Sequence, residues 1–273
     1  MRALKSLIGQ VSEILTRFKR SRVARKLRKT RVPELHWQKT ISQLRLLQQL
    51  NHSEQHHLRE LTSQFLQMKA FSGAGDLVVN DSMRILIAAQ ACLLILELDL
   101  SYFDGWHEII VYPDAFVVQR ETLDPAGLVH EARQALGGEA WSRGPVILSW
   151  ADARPGAHQS GDGANVILHE FAHKLDMLNG SANGMPPLHH DMHRETWTSI
   201  FQQAYDDLQG KLASHQHVAI NPYAAENPAE FFAVTTELFF DNPQRLLHTY
   251  PDLYTQLRLF YRQDPYQRQL NRA

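Results

Sequence analysis

The sequence predicts an α+β fold, with a helical N-terminal lobe followed by a lobe that has a small mixed sheet beside one central helix. Residues 34–100 carry apolar side chains at three- and four-residue spacing, which is typical of helices with one buried face. From Ser101 the pattern changes to short runs of β-branched and aromatic residues, which indicate strands. Helical spacing returns in the C-terminal third. We therefore expect one domain over residues 34–268, with a helical lobe (34–100) and a second lobe (101–268).

Helix-start residues and apolar spacing locate the individual helices. Ser53, with Glu54 in the first turn, opens the second helix, and Asp81 or Ser82 is expected to cap the third. The stretch 72–75 lacks the lysine and hydroxyl residue of a phosphate-binding loop, so a turn is predicted there. The predicted helices span 37–50, 53–71 and 83–98 in the first lobe, and 195–208, 228–240, 243–249 and 253–261 in the second.

Three short runs in the second lobe predict strands. They are rich in valine, isoleucine and aromatic residues and span 108–112, 116–119 and 145–150. The third run precedes the helical segment that contains His169 and His173 by a loop of about a dozen residues, so it is a candidate wall of a cleft.

Composition limits the cell compartments in which the chain could function. Its single cysteine, Cys92, excludes an intramolecular disulfide and fits a reducing compartment. The longest apolar stretch, 85–98, is interrupted by Gln90 and Glu97 and is too short to span a membrane, so it predicts a core helix. The N-terminus lacks the apolar region and cleavage site of a signal peptide. These features predict a cytoplasmic protein.

Residues 1–33 are expected to form a basic arm ahead of the domain. Residues 1–31 hold eleven lysine or arginine residues against one acidic residue, Glu13, although the net charge of the chain is only −1. Apolar residues recur in the arm at helical spacing, which predicts an amphipathic helix with a basic tail. Three interpretations fit: contact with an anionic membrane, binding to nucleic acid, and a solvated leader. The solvated leader is favoured, weak membrane contact stays a hypothesis, and direct binding to nucleic acid is not expected.

The most informative string is His169-Glu170-Phe171-Ala172-His173. Helical residues four apart lie on one face with Cβ atoms about 5–6 Å apart, so both imidazoles can bind one metal ion. Glu170 suits a general base that takes a proton from water beside the metal. Chance would produce such a string in roughly one similar sequence in twenty. A turn at 160–163, with Asp162 as a candidate cap, and a helix stop at Asn179-Gly180 nevertheless favour a metal site that assists amide hydrolysis.

A third ligand must come from elsewhere in the chain, because a catalytic zinc usually takes three protein ligands. The metzincin pattern is excluded, since Asp176 and Asn179 stand where it needs glycine and histidine. Glu230 is the best candidate, at the third position of a helix that Asn227 caps and Pro228 begins. An equally good interpretation has Glu230 closing a capping box onto the cap residue. Weaker ligand candidates on the same segment are Glu226 and Glu237.

At these residues the chain resembles the Mlc titration factor A family of bacterial zinc-dependent peptidases. The catalytic part of that family is similar to the metalloprotease domain of anthrax lethal factor. The resemblance covers roughly residues 40–268 and is carried by 169–176 and 223–233, with further likeness at 100–118 and 145–150. It implies a zincin-like fold.

The resemblance also implies roles for individual residues. His169, His173 and Glu230 would bind zinc, which decides between the two interpretations of Glu230, and Glu170 would be the base. Tyr223 would face the site, where its phenol could donate a hydrogen bond to the oxyanion of the tetrahedral intermediate.

Three further expectations concern the surroundings of this site. Asp176 would accept a hydrogen bond near the ligands, contact a substrate amine, or simply be exposed near a helix end. Ser149 and Trp150 would lie along an edge strand that pairs with an extended peptide. The other histidines nearby are expected to be loop residues and not ligands; they are His189, His190 and His193.

The resemblance implies two functions of different classes. One is aminopeptidase-like hydrolysis of short peptides, accompanied by binding to an Mlc-type transcriptional repressor in sugar-transport regulation. The alternative is a regulatory protein that binds the repressor and whose metal site is structural or vestigial.

Overall fold

The computed structural model describes residues 31–123, 129–136, 138–140, 144–157 and 164–271. Residues 1–30 of the predicted arm and the predicted turn at 160–163 lie outside the described residues, so both stay predictions.

Helices dominate the described part of the chain. The helices are α1 (Glu34–Gln43), α2 (Arg45–Gln48), α3 (His52–Met68), α4 (Asp81–Leu94), α5 (Trp150–Ala153), α6 (Val166–Asp176), α7 (Arg194–Ala213), α8 (Pro228–Asp241), α9 (Pro243–Thr249), α10 (Pro251–Tyr261) and α11 (Pro265–Leu270). Short 3₁₀ segments lie at Leu100–Phe103, Met177–Asn179 and Pro222–Ala225. The strands are β1 (Ala70–Gly73), β2 (Glu108–Tyr112), β3 (Phe116–Leu123), β4 (Val129–Leu136), β5 (Gly138–Ala140) and β6 (Val146–Ser149).

Two departures from the predicted helices concern Leu44 and the cap of α4. The predicted helix 37–50 is divided at Leu44, whose extended backbone (φ −123°, ψ 106°) separates α1 from α2 while its side chain joins the core. Asn80, and not Asp81 or Ser82, caps α4: its side chain accepts a hydrogen bond from the backbone N–H of Met83 at 3.1 Å. Asn80 is as good a cap as Asp or Ser, so composition alone could not choose among three adjacent candidates.

The predicted turn at 72–75 is wrong in part, because residues 70–73 form strand β1. The predicted second helix ends earlier for the same reason: α3 stops at Met68, and the backbone N–H of Ala70 donates to His107 O at 2.8 Å. The partner strand β2 lies more than thirty residues further along the chain. A pairing over that separation leaves no local pattern in a four-residue segment.

The main sheet is mixed and has the strand order β1-β2-β6-β5. Strands β1, β2 and β6 are parallel, with Phe71 opposite Ile109 and Val111 opposite Leu148. Strand β5 runs antiparallel to β6, and β3 and β4 form a separate antiparallel pair. This small sheet among many helices confirms the α+β class. Strand β1 comes from residues 34–100 and the other three strands from residues 101–268, so the two predicted lobes share one sheet.

Ser149 and Trp150 do not lie on an edge strand, so that prediction is wrong. Strand β6 is interior, between β2 and β5, and it ends at Ser149. The Ser149 hydroxyl accepts a hydrogen bond from the backbone N–H of Asp152 at 3.3 Å and caps the short helix α5, which Trp150 begins. The edges of this sheet are β1 and β5.

An aromatic cluster connects the first lobe to the central helix α6. Phe65 of α3 and Phe171 of α6 have ring centroids 5.8 Å apart, and both also pack on Phe103 and Trp106. All four side chains are almost completely buried. The position of α6 therefore depends on packing against α3 and against Phe103 and Trp106. Among the residues described, no helix is long and apolar enough to cross a membrane.

Truncation of Phe65 should measure how much this cluster stabilises the fold. We expect Phe65→Ala to lower the free energy of unfolding by about 3–5 kcal/mol, since a large buried ring is replaced by a cavity. Urea denaturation in the presence of a chelator measures this without a contribution from bound metal. Leu35→Ala, at a side chain that is 80% exposed, is the control and should change stability by less than about 0.5 kcal/mol. Equal stability of the two variants would contradict the packing described here.

Candidate metal centre

Helix α6 carries the string that the sequence singled out. Its N-terminal cap is Asn165, whose side chain accepts a hydrogen bond from the backbone N–H of Leu168 at 3.1 Å, and not the predicted Asp162. The predicted stop is confirmed: the 3₁₀ segment Met177–Asn179 ends at Gly180, which has φ 145°. Apolar side chains hold the helix in the core; they are Ile167, Leu168, Phe171, Ala172 and Leu175.

The two histidines of α6 and Glu230 of α8 come together. His169 Nε2 lies 2.9 Å from Glu230 Oε2 and 3.1 Å from His173 Nε2, and His173 Nε2 lies 3.4 Å from Glu230 Oε2. All three residues are largely buried, and among the described residues they are the one cluster of this size that could hold a metal ion. The structure thus brings together the three predicted ligands.

The spacing of these three atoms suits a tetrahedral metal ion. Ligand atoms at 2.0–2.1 Å from a tetrahedral centre lie about 3.3 Å from one another. The three distances of 2.9, 3.1 and 3.4 Å are close to that value. Two imidazole nitrogens and one carboxylate oxygen are also a donor set found in catalytic zinc sites. The residues therefore fit a metal ion.

Helix α8 begins in a way that directs Glu230 toward the histidines. Asn227 caps the helix by accepting hydrogen bonds from the backbone N–H groups of Ala229 and Glu230, both at 3.0 Å, and Pro228 is its first residue. Oε2 of the Glu230 carboxylate lies 2.9 Å from Nε2 of His169. The cap was predicted correctly, and the ligand position of Glu230 agrees with the geometry better than the capping-box alternative.

Glu237 has a role that the sequence did not predict: it forms hydrogen bonds with His169 and Asn165. Its Oε1 lies 2.7 Å from His169 Nδ1, and its Oε2 accepts a hydrogen bond from the backbone N–H of Asn165. A carboxylate only accepts, so Nδ1 carries the hydrogen and donates it. In the neutral imidazole, Nε2 is then left as an electron-pair donor facing Glu230. Glu237 is thus an orienting group for His169 and not the weaker ligand candidate of the sequence interpretation.

The two carboxylates make this pocket favourable for positive charge. Burial alone would lower the pKa of His169, but hydrogen bonds to Glu230 and Glu237 outweigh burial and raise that pKa well above its usual range. Burial would raise the pKa of Glu230, yet hydrogen bonds to His169 and His173 hold it far below the usual range. A cation bound between these ligands would be stabilised by the same carboxylates.

Glu170 and Tyr223 both lie close to the ligands. Glu170 is 4% exposed, and its negative charge helps to raise the pKa of the neighbouring His169. Tyr223 lies in the 3₁₀ segment before α8, with its ring centroid 6.0 Å from that of His169. The side chain of Asn221 accepts a hydrogen bond from the backbone N–H of Tyr223 at 3.0 Å and fixes this segment. The structure therefore brings both predicted catalytic residues to the ligand cluster.

The remaining candidates are not part of the ligand cluster. Glu226 is exposed and does not join the cluster. His189 Nε2 donates a hydrogen bond to Phe260 O at 2.8 Å, as suits a loop residue, and His190 is exposed. Asp176 is fully buried, so the exposed alternative is wrong; it accepts hydrogen bonds from two backbone N–H groups in the following loop.

Comparison with known proteins agrees with this geometry. Residues 16–262 match the family described as glucose-regulated metallo-peptidase M90. The chain belongs to the M90 metallopeptidase family.

Relatives of this M90 protein are similar over most of their length. It is 41% identical over 232 residues to an uncharacterized protein of Synechocystis, covering 84% of each chain. It is 39% identical over 235 residues to Mlc titration factor A of Pectobacterium atrosepticum, covering 84% of this chain and 86% of the relative. Identity to Mlc titration factor A of Yersinia pestis is 38% over 224 residues, covering 81% and 82%.

Substitution of Glu237 should show how strongly it supports the site. We expect Glu237→Gln to weaken zinc binding by about 10–100-fold, because the amide cannot accept from both Asn165 and His169 as the carboxylate does. Competition with a chromophoric chelator measures the zinc dissociation constant. The matched control is Glu226→Gln, at an exposed glutamate of the same segment, which should bind zinc like the unaltered protein. If Glu226→Gln alone bound zinc more weakly, Glu226 and not Glu237 would be the residue that supports the site.

Proposed function

We propose that this M90-family protein is a zinc-dependent peptidase that hydrolyses short peptides with an aminopeptidase-like preference. The observation that carries the proposal is the close approach of His169 Nε2, His173 Nε2 and Glu230 Oε2 beside a buried glutamate of the same helix. Zinc is the metal proposed, since two imidazoles and a carboxylate form one of its catalytic donor sets. When bound, it would supply Lewis acidity toward water and toward the substrate carbonyl.

Glu170 is the proposed general base. It would take a proton from the attacking water as the water oxygen bonds to the carbonyl carbon, and it would deliver that proton to the leaving nitrogen as the C–N bond breaks. Its burial next to His169 supports this role, because a carboxylate shielded from bulk water interacts more strongly with the reacting groups.

Tyr223 is the proposed donor to the carbonyl oxygen. As that oxygen gains negative charge, a hydrogen bond from the phenol would stabilise it. The distance of 6.0 Å between the ring centroids of Tyr223 and His169 supports this role, since it brings the tyrosine close to the ligand cluster.

Strand β5 is the proposed docking edge for the peptide. It packs against α6 and ends the main sheet, so its outer edge has no neighbouring strand among the described residues. An extended peptide can add to such an edge through backbone hydrogen bonds. This replaces the edge that the sequence assigned to Ser149 and Trp150.

A second proposed function rests on the relatives. Two of them carry the name Mlc titration factor A, so we propose that this protein also binds an Mlc-like transcriptional repressor. A cytoplasmic location is proposed with it, because Cys92 is a free and buried thiol that suits a reducing compartment. Weak contact of residues 1–31 with anionic membranes, and the division into two lobes, stay predictions.

Replacement of Glu170 should separate catalysis from metal binding. We expect Glu170→Gln to retain about one zinc per chain and to lose peptidase activity by at least about 10²–10⁴-fold, because the amide cannot take the proton from water. Metal analysis and hydrolysis of fluorogenic amino-acid amides are the two measurements. Glu195→Gln, at an exposed glutamate in the first turn of α7, is the control and should keep both properties.

A capture assay beside these measurements tests the alternative function, in which the chain binds a repressor. The alternative is favoured if the unaltered protein does not hydrolyse peptides and if, in a pull-down, both Glu170→Gln and His169→Ala still capture an Mlc-type repressor. The chain would then act as a binding protein whose metal site is not catalytic.

Removal of the Tyr223 hydroxyl tests the proposed oxyanion donor. We expect Tyr223→Phe to lower kcat by about 10²–10³-fold with little change in KM, since the hydrogen bond would form only as charge develops. Steady-state kinetics at saturating zinc measure both constants. Tyr266→Phe, at a partly buried tyrosine near the C-terminus, serves as the control. A rise in KM with unchanged kcat would instead assign Tyr223 to substrate binding.

A further inference from the structure

Asp176 connects the end of α6 to the loop that follows it. The carboxylate is fully buried, three residues beyond the ligand His173. Its Oδ2 accepts hydrogen bonds from the backbone N–H groups of Asn183 and Gly184, both at 2.8 Å. Hydrogen bonds to an ionised group are stronger than those between neutral groups, so this connection holds the segment 183–184 firmly against α6.

Gly184 in turn contacts the start of α8. Its φ is +79°, and a Cβ atom placed on it would lie only 2.5 Å from the carbonyl oxygen of Pro228. No side chain fits at that distance, so the backbones of Gly184 and Pro228 are in direct contact. The contact lies two residues before the ligand Glu230.

The same glycine is also held by α7. The carbonyl oxygen of Gly184 accepts a hydrogen bond from Trp197 Nε1 at 3.1 Å. Trp197 is 1% exposed and is stacked on Phe201 with ring centroids 4.1 Å apart. A buried, stacked ring is a rigid donor, so the position of Gly184 is determined by three helices.

Helices α6 and α8 are therefore connected at both ends. At one end Glu237, late in α8, contacts Asn165 at the start of α6. At the other end Asp176, at the end of α6, is connected through Gly184 to Pro228 at the start of α8. The two helices thus run in opposite directions, with one connection at each end.

The metal ligands lie between these two connections. On α6 the histidines fall between the cap residue and Asp176, and on α8 the glutamate falls between Pro228 and Glu237. Sliding or separating the helices at either end would change the distances between Glu230 and the histidines. We propose that Asp176 and Gly184 are positioning residues that set the location of Glu230 relative to His169 and His173. This inference rests on the proposed metal site.

A pair of glycine substitutions tests the contact with Pro228. Gly184→Ala should weaken zinc binding by about 10–100-fold, the usual effect of disturbing groups that orient metal ligands. The matched control is Gly156→Ala: Gly156 has the same φ of +79°, but a Cβ atom there would meet nothing within 4 Å. Both variants share the backbone strain, and only Gly184→Ala adds the collision. Gly156→Ala should therefore bind zinc within about twofold of the unaltered protein, since strain there acts on folding alone.

A pair of aspartate substitutions tests the same connection from the other end, and carries the test if Gly184→Ala does not fold. Asp176→Ala removes the acceptor and should weaken zinc binding by about 10-fold or more. Asp176→Asn keeps one oxygen with two lone pairs that can accept both N–H groups, so it should restore most of the affinity.

Zinc dissociation constants are measured by competition with a chromophoric chelator, at a temperature where circular dichroism shows each variant to be folded. Equal affinity of Gly184→Ala and Gly156→Ala, or of Asp176→Ala and the unaltered protein, would overturn the inference while leaving the proposed function intact. Failure of the unaltered protein to bind zinc would overturn the proposed function itself.

Discussion

Three electron-pair donors meet in a buried pocket, with no two of them more than 3.4 Å apart: His169 Nε2, His173 Nε2 and Glu230 Oε2. In a medium of low dielectric, such donors repel one another strongly unless positive charge lies between them. Glu237 adds to this repulsion, because it holds the hydrogen on Nδ1 of His169 and leaves an electron pair on Nε2. A cation bound between the three atoms would remove this repulsion. The surrounding fold serves to hold these atoms at this separation.

Each ligand is fixed by an element whose packing is independent of the metal. Phe171 anchors α6 in an aromatic cluster that includes Phe65 of α3, so α3 supports the site without contributing a ligand. Asn227 caps the helix that carries Glu230, and the backbone contact between Gly184 and Pro228 locates its first turn. Preorganisation of this kind lowers the cost of binding, because little of the chain must be ordered when the ion arrives.

The sequence predicted those parts of the site that depend on local chemistry. The spacing of His169 and His173 follows from helix geometry, and the start of α8 follows from Asn227 and Pro228. The parts it missed depend on contacts between distant residues. Strand β1 pairs with a strand more than thirty residues away, and β6 lies inside the sheet because β5 returns beside it. The role of Glu237 depends on how α6 and α8 pack, which no pattern within either helix reveals.

The environment of a bound metal ion tests the central claim most directly. X-ray absorption at the zinc edge, on protein loaded with one equivalent of zinc, reports the number, type and distance of the ligands. We expect nitrogen and oxygen ligands at about 2.0–2.1 Å, with outer-shell scattering from two imidazoles that falls to one in His173→Ala. A spectrum without imidazole scattering, or one that His173→Ala leaves unchanged, would contradict the account.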